Sequence, residues 1–370
     1  MGSSNRNSSQ RLAFLDWTRG LAAVVMLQGH VFHSFTDKTL RNDGPYVLSQ
    51  FIGGMTPAVF LFLTGITLAF LMDSRARQGQ TPKQRMAASL NRAGFLIAMA
   101  FLFRLQLWLF AAGQSPWTDL FKVDILNAMA LGVAVFTPLA VLQTAERIRW
   151  SLFAGAGIAA AAPLVSAIDW SWLNPFVRAY FVPDTNYFAF FPWASFIAFG
   201  ITTGSAIRLL KDEHMDRAMQ WSAVFGIGLV AAAGYFASIP YSLYAKSDFW
   251  LNSPALIFIK TGIILAILPL AFVWTRYASP VGSTSWVRLL GTNSLLVYWV
   301  HTELVYGRWF GRYKEALSVP QTITIAVLVI ASMVLLAGLW RGWRGLPNVP
   351  ELLRRYLGSG ELAPQRAAGD

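Results

Sequence analysis

The sequence predicts an all-α, polytopic integral membrane protein of about ten transmembrane helices with both termini on the cytoplasmic side. Three observations lead there. Of the 370 residues, 55% are hydrophobic and only 13% are charged, about half the charged share of roughly 25% usual in soluble domains. The apolar residues collect in stretches of about 20, the length a helix needs to cross the hydrocarbon core. Lys and Arg gather in every second connection between those stretches, as cytoplasmic loops do.

In chain order, residues 1–10 are polar and read as a disordered N-terminus, 11–345 as one transmembrane domain, and 346–370 as a cytoplasmic tail. Asp16 and Arg19 interrupt the first apolar run and no cleavage site closes it, which argues against a signal peptide. The expected spans are 13–33, 47–72, 93–112, 125–144, 151–168, 191–210, 219–239, 254–275, 289–307 and 320–342. The stretch 151–168 is short and rich in Ala and Gly, which suits close helix packing.

Arg75, Arg77, Lys83, Arg85 and Arg92 follow the second span. Arg147 and Arg149 follow the fourth, Arg208, Lys211 and Arg217 the sixth, and Arg276 and Arg288 the eighth. Arg341, Arg344, Arg354 and Arg355 follow the tenth, while Arg308, Arg312 and Lys314 run against the pattern. The opposite loops are aromatic, with Trp170, Trp172, Phe176, Tyr180, Phe181, Tyr187 and Phe188 in 169–190 and Tyr241, Tyr244, Phe249 and Trp250 in 240–252. Such residues form an interfacial belt, a platform on which a sugar ring stacks, or both. The segment 280–286 reads as a loop, and the tail after Gly358 is small and polar.

Several function classes fall away. There is no Cys, hence no disulfide, thiol nucleophile or thiolate metal site. The net charge of +12 follows from loop topology and not from a separate basic domain, so no nucleic-acid partner is expected. No phosphate-cradling Gly loop and no HExxH pattern occurs, and no metal is expected.

The candidate chemistry sits in Arg11–His33, where Asp16, Arg19, Gln28, His30 and His33 interrupt an apolar run. Ionisable groups inside a span are costly and face an interior, a cavity or a partner. Arg19 and His30 lie about 16 Å apart along a helix axis and within roughly 20° of one face. Imidazole can take a proton near neutrality, as a general base must. It can also act as a nucleophile and carry a transferred group itself. For His30 the bland alternative is a histidine satisfied inside the bundle; for Arg19 it is snorkelling or a pair with Asp16.

Arg104 sits mid-span, with Gln106 two residues on, and reads either as an ion-pair partner or as a ligand of an anionic group. Asp124 and Asn127 stand where the fourth span begins; Asp124 is an N-cap or an orienting group. His301 and Glu303, preceded by Asn293, Ser294 and Tyr298, lie in the ninth span, with His301 at a depth like that of His30. His214 in KDEHMDR reads as a solvated surface residue.

The run LDWTRGLAAVVMLQGH resembles the first-helix signature of transmembrane acyltransferases, with Arg19 and His30 in the Arg-ten-residues-His spacing of the acyltransferase-3 branch. The blocks RLAFLDWTRG, TPAVFLFLTGITLAF, KVDILNAMALG, FAFFPWASFIAFG and GTNSLLVYWVHTELVYG resemble, in order over most of the chain, the heparan-α-glucosaminide N-acetyltransferase-like branch with its bacterial DUF1624-type members. That branch expects its catalytic His in the loop after the first span, but residues 34–46 contain none. The base is then His30, at the acyltransferase-3 position, or His33.

The resemblance implies transfer of an acyl group, most simply acetyl, from cytosolic acyl-CoA to an amino sugar or sugar hydroxyl on the other side. His30, His301 and Asp124 would form the catalytic group. Arg19, Arg104, Asn293 and Ser294 would serve the acetyl-CoA donor, and His33, Glu303 and Asn127 the acceptor. Expected partners are acyl-CoA, a sugar or glycan, and membrane lipids, with room for a homodimer, in a bacterial inner membrane. The rival reading is a multipass transporter or flippase, in which the same charges form a relay and acyl-CoA stays intact.

Overall fold

The structure, a computed structural model, describes residues 3–344 except 112, 184–187, 246 and 279–284. Tyr187, most of the 280–286 segment and the tail 346–370 lie outside the described residues. The elements are helices: α1 Ser3–Phe35, α2 Gly44–Gly53, α3 Thr56–Arg77, α4 Pro82–Phe110, α5 Ile125–Phe136, α6 Thr144–Ala167, α7 Pro175–Phe181, α8 Phe190–Leu209, α9 Met215–Ser238, α10 Pro254–Val273, α11 Trp286–Thr292, α12 Ser294–Tyr306 and α13 Val319–Arg344. Among the described residues there is no strand, only an isolated bridge between Thr36 and Leu317. The chain is all-α, as expected.

Eight helical segments among the described residues are long and apolar enough to cross a bilayer. They begin at Gly44, Pro82, Trp117, Thr144, Phe190, Asp212, Pro254 and Val319. Neither α1 nor the α11–α12 pair is among them. Those are the first and ninth spans of the sequence reading, one interrupted by polar side chains and the other broken in two.

The breaks have local causes. The expected span 47–72 divides at Gly53–Met55, where the Gly54 amide closes α2 on the Gln50 carbonyl at 2.8 Å. Pro57 then starts α3, in the first turn where its missing N–H costs nothing. The expected span 289–307 divides at Asn293, whose side-chain Nδ2 donates to the Leu289 carbonyl at 2.9 Å and ends α11. α4 begins at Pro82 and not at 93, because Thr81 and Gln84 form a reciprocal capping box. α1 runs from Ser3, through the polar segment that the sequence set apart.

α1 is the axis shared by two apolar clusters. Phe14, Leu15 and Ala22 pack with α3 and α10 and belong to a cluster that extends to α5 and α8. Further along, Ala23, Met26, Leu27, Val31 and Phe35 pack with α11, α12 and α13. Inside a bilayer such contacts gain from close fit more than from water exclusion. The fit is tightest at small residues: a Cβ on Gly20 would lie 1.8 Å from the Val287 carbonyl oxygen, and one on Gly291 1.9 Å from that of Asp16. Only Gly lets α1 and α11 approach this closely.

At the face carrying the basic loops, Asp73 pairs with Arg208 at 2.6 Å and with Arg77 at 2.9 Å. Arg147, fully buried, donates to the carbonyls of Leu139, Ala69 and Leu142. These cations close helix ends and loops.

Candidate active site

A cavity of about 1030 Å³ opens between α1, α3, α4, α5 and the α11–α12 break. Arg19 and His30 both line it, as their shared helix face requires. The cavity therefore has a cationic end and an imidazole end.

At the cationic end, Arg19 Nη1 pairs with Asp16 Oδ1 at 3.0 Å, and Nη2 reaches Thr67 Oγ1 at 3.4 Å. Arg92 of α4 lines the same cavity and interacts electrostatically with Arg19. Its guanidinium lies 5.5 Å over the Phe95 ring. Thr292, Asn293 and Ser294 complete this end. They sit there because Gly291 abuts Asp16 and Gly20. Ser294 opens α12, so the free backbone N–H groups of a helix N-terminus stand near the two arginines.

At the other end, α1 stops at Phe35 and α12 at Tyr306. His30 and His301 thus each lie about 8 Å inside one face, at 1.5 Å per residue. Ser34 Oγ donating to the Val305 carbonyl at 2.8 Å ties these ends together. His30 Nδ1 is 2.9 Å from His301 Nε2, and His301 Nδ1 is 2.7 Å from the Val297 carbonyl oxygen. His301 is fully buried and His30 stands between it and the cavity.

Hydrogen-bond chemistry orders this pair. A carbonyl can only accept, so His301 Nδ1 carries a proton and donates. In a neutral ring its Nε2 is then an acceptor, and His30 Nδ1 must donate to it. His30 Nε2 is left with a free lone pair. The Tyr306 ring lies edge-on to His30 with centroids 5.3 Å apart, and its hydroxyl is 3.4 Å from His33 Nδ1.

α2 covers this end. Gln28 and Ser49 exchange hydrogen bonds at 3.2 and 2.9 Å, and Gln50 Nε2 donates to the Gly29 carbonyl at 3.0 Å. Gln50, Gly53 and Gly54 all line the cavity.

The remaining sequence candidates sit elsewhere. Arg104 Nε lies 3.4 Å from Asp124 Oδ2. Asp124 Oδ1 accepts from the amides of Leu126 and Asn127, and Asn127 Oδ1 accepts from the Asp124 amide, a capping box for α5. Asn127 Nδ2 donates to the Tyr180 hydroxyl at 2.9 Å, and burial holds that phenol above its ordinary range. None of these four lines the cavity. Glu303, two residues beyond His301, projects from another side of α12 and accepts from Trp309 Nε1 at 3.2 Å. His33 is exposed and also lies off the cavity wall.

Sequence reasoning missed two residues. The sequence pattern groups Arg92 with the loop cations after the second span; the capping box at Thr81 places it inside α4. Lys260, in the run ALIFIKTGIILAIL of α10, is the other. A lone cation inside so apolar a run was the available signal.

Among the described residues no group of three His, Asp or Glu side chains converges to hold a metal. The model of a family described as heparan-alpha-glucosaminide N-acetyltransferase, catalytic, matches residues 11–240, more than half of the chain. The match covers α1 to α9, including Arg19, His30 and Arg92, and stops short of His301. No curated protein matches the chain.

Proposed function

The chain belongs to the heparan-α-glucosaminide N-acetyltransferase catalytic family, and on that premise we propose that it transfers an acyl group, most simply acetyl, from acyl-CoA to an amino sugar or sugar hydroxyl. One observation carries this reading. A single cavity joins a cluster of two guanidinium groups to an imidazole whose Nε2 is free, roughly 16 Å away along α1.

That layout suits a donor with phosphates at one end of a long arm and a reactive carbonyl at the other. Arg19, Arg92 and the N-terminus of α12 would hold the phosphates, since guanidinium groups and helix N-termini both favour them. Asn293 and Ser294 would assist there. The apolar wall between the two ends, including Met26, Phe60 and Leu68, suits an arm with little charge. The bias of Lys and Arg in the loops supports an arginine end at the cytosol, where acyl-CoA is made, with His30 toward the face where the acceptor would wait.

The acceptor amine or hydroxyl attacks the thioester carbonyl carbon while His30 Nε2 takes its proton. The tetrahedral intermediate collapses, the C–S bond breaks, and the CoA sulfur leaves with the proton returned by the imidazolium. His301 acts behind His30. It holds the tautomer that keeps Nε2 free, and its Nε2 accepts a stronger hydrogen bond once His30 is charged. The same free nitrogen could take the acyl group itself in a two-step route.

Arg104 and Asp124 would serve by fixing α4 to the start of α5, behind the cavity. Residues of α2, with His33 and Tyr306, would meet the acceptor. The setting we propose is a bacterial inner membrane with both termini cytoplasmic.

The test is acetyl-CoA consumption by the purified protein over a panel of sugars and amino sugars, beside His30→Ala. Turnover should fall by about 10²–10⁴-fold in the variant. Undiminished turnover in His30→Ala would remove His30 from the mechanism. Intact acetyl-CoA with every acceptor, together with no binding of it, would return the transporter reading.

A further inference from the structure

Lys260 has no part in the mechanism above, yet its place in the fold is specific. It is buried in α10, about 9 Å from that helix's start at Pro254. An ammonium at such a place is costly unless it does something that outweighs its desolvation. Its Nζ donates to the Gly54 carbonyl at 3.0 Å and lies 5.2 Å over the ring of Trp193. Gly54 is the break between α2 and α3 and lines the cavity at the His30 end. Beside it, Gly53 presses on α1: a Cβ on Gly29 would lie 3.3 Å from Gly53 Cα. Gly29 is the residue before His30, and its carbonyl accepts from Gln50 of the same short helix.

We propose that Lys260 is a positioning residue that anchors the α2–α3 elbow to α10 and so holds the cavity wall at its working distance from His30. The elbow needs such a tie. α2 is a ten-residue helix whose Val47, Leu48, Phe51 and Ile52 are exposed, so its own apolar packing onto the bundle is slight. Two glycines at its end leave the backbone free to swing. The polar ties of α2 run to α1, through Gln28, Ser49 and Gln50, while Phe51 meets the Trp250 ring edge-on at 6.4 Å. Lys260 adds a charged hydrogen bond from α10 to the elbow itself, and the face of Trp193 stabilises its charge there. An ångström of error in such a wall can cost about a hundredfold in rate.

The proposal rests on His30 being the base, and the test separates the two. The chain has no cysteine, so Thr56→Cys, at a buried cavity-lining position just beyond the elbow, gives a single reporter thiol. Its labelling by a small methanethiosulfonate reagent is followed in the full-length protein with Lys260 intact, with Lys260→Met and with Lys260→Arg. In Lys260→Met the labelling should speed up severalfold and kcat should fall about tenfold or more, with KM for acetyl-CoA unchanged because the arginine end is remote. Lys260→Arg should recover most of both.

Unchanged labelling in Lys260→Met overturns the proposal, including when kcat falls, since Lys260 would then act on the substrate and not on the elbow. Labelling that rises in a protein without turnover supports the anchor while counting against the acyl-transfer reading. Should Lys260→Met fail to fold, Lys260→Gln is read in its place under the same criteria.

Discussion

Two polar contacts lie at similar depth inside this bundle and have different surroundings. His30 meets His301 at 2.9 Å, and Arg104 meets Asp124 at 3.4 Å. Both look alike in the sequence: ionisable residues in apolar runs, each a candidate for chemistry. The difference is access. His30 forms part of the cavity wall, with one ring nitrogen bound behind it and the other free. Asp124 Oδ1 is spent on the Leu126 and Asn127 amides that open α5, and its Oδ2 faces Arg104 in an ion pair at 3.4 Å without a hydrogen bond, off the cavity wall. Depth in the membrane therefore says that a charged residue has a reason to be there; its partners say which reason.

Breaking the histidine pair should affect rate most after loss of His30 itself. His301→Leu removes the acceptor that holds His30 in its tautomer, and kcat should drop about 10–100-fold with KM for acetyl-CoA unchanged. The protein has four histidines, so ¹⁵N spectra of the labelled protein can be assigned by single substitutions. They should show His30 protonated at Nδ1, and a change of tautomer population in the variant. An Nε2-protonated His30 in the wild type would contradict the order of hydrogen bonds proposed here.

Arg19→Ala and Arg92→Ala should weaken the donor site and leave the chemistry alone. Loss of one charged hydrogen bond is worth about 1.5–3 kcal/mol, so KM for acetyl-CoA should rise tenfold or more in each while kcat holds. A fall in kcat at constant KM would instead move that arginine to the reacting end.

The Arg104–Asp124 pair should respond in the opposite sense. Arg104→Gln leaves a buried carboxylate without its cation, and about 1–3 kcal/mol of stability should be lost, discounted because Arg104 is partly exposed. Thermal unfolding in detergent measures this. Turnover per folded molecule should change by no more than about twofold, as expected for a group off the reaction path. A large loss of turnover with unchanged stability would restore the catalytic reading of Arg104 and Asp124.

The smallest effect belongs to the exposed ion pairs of Glu315. Glu315, at positive φ, pairs with Lys38 at 2.8 Å and with Arg41 at 3.1 Å. The bond from Lys38, with Arg41 beside it, holds the carboxyl below its ordinary range. A lowered carboxylate pKa gives stability that is present above the unfolded value, about 4.3, and is lost as pH falls through the folded one. Glu315→Gln should thus shift Tm slightly at neutral pH and not at all once the carboxyl is protonated. An equal shift at both would show that the charge plays no part.

Much of the site was legible beforehand, and the reason is helical periodicity. Arg19 and His30 share a face by arithmetic alone, and the cavity lies on that face. His301 could be placed at the depth of His30 by counting from the helix ends, but nothing in a one-dimensional pattern says that the two rings touch. Arg92 was hidden because hydropathy starts a span at its first apolar run, whereas a capping box starts a helix wherever its amides are satisfied. The breaks at Gly53–Met55 and Asn293 were passed over because apolar residues flank both, so the runs looked continuous.

Residue order alone was enough for an all-helical membrane protein, since hydrocarbon offers no partner for backbone N–H and C=O groups and a run of apolar residues must satisfy them within itself. It was also enough for a shared face of cation and imidazole, since that follows from 3.6 residues per turn. Packing assigned the rest. Which of several buried charges reaches the cavity, which nitrogen of His30 is free, and that Lys260 meets an elbow some two hundred residues away all depend on contacts between helices distant in the chain. Those contacts arise from the fit of small residues and side chains across helix faces, a property of pairs of segments that no single segment carries.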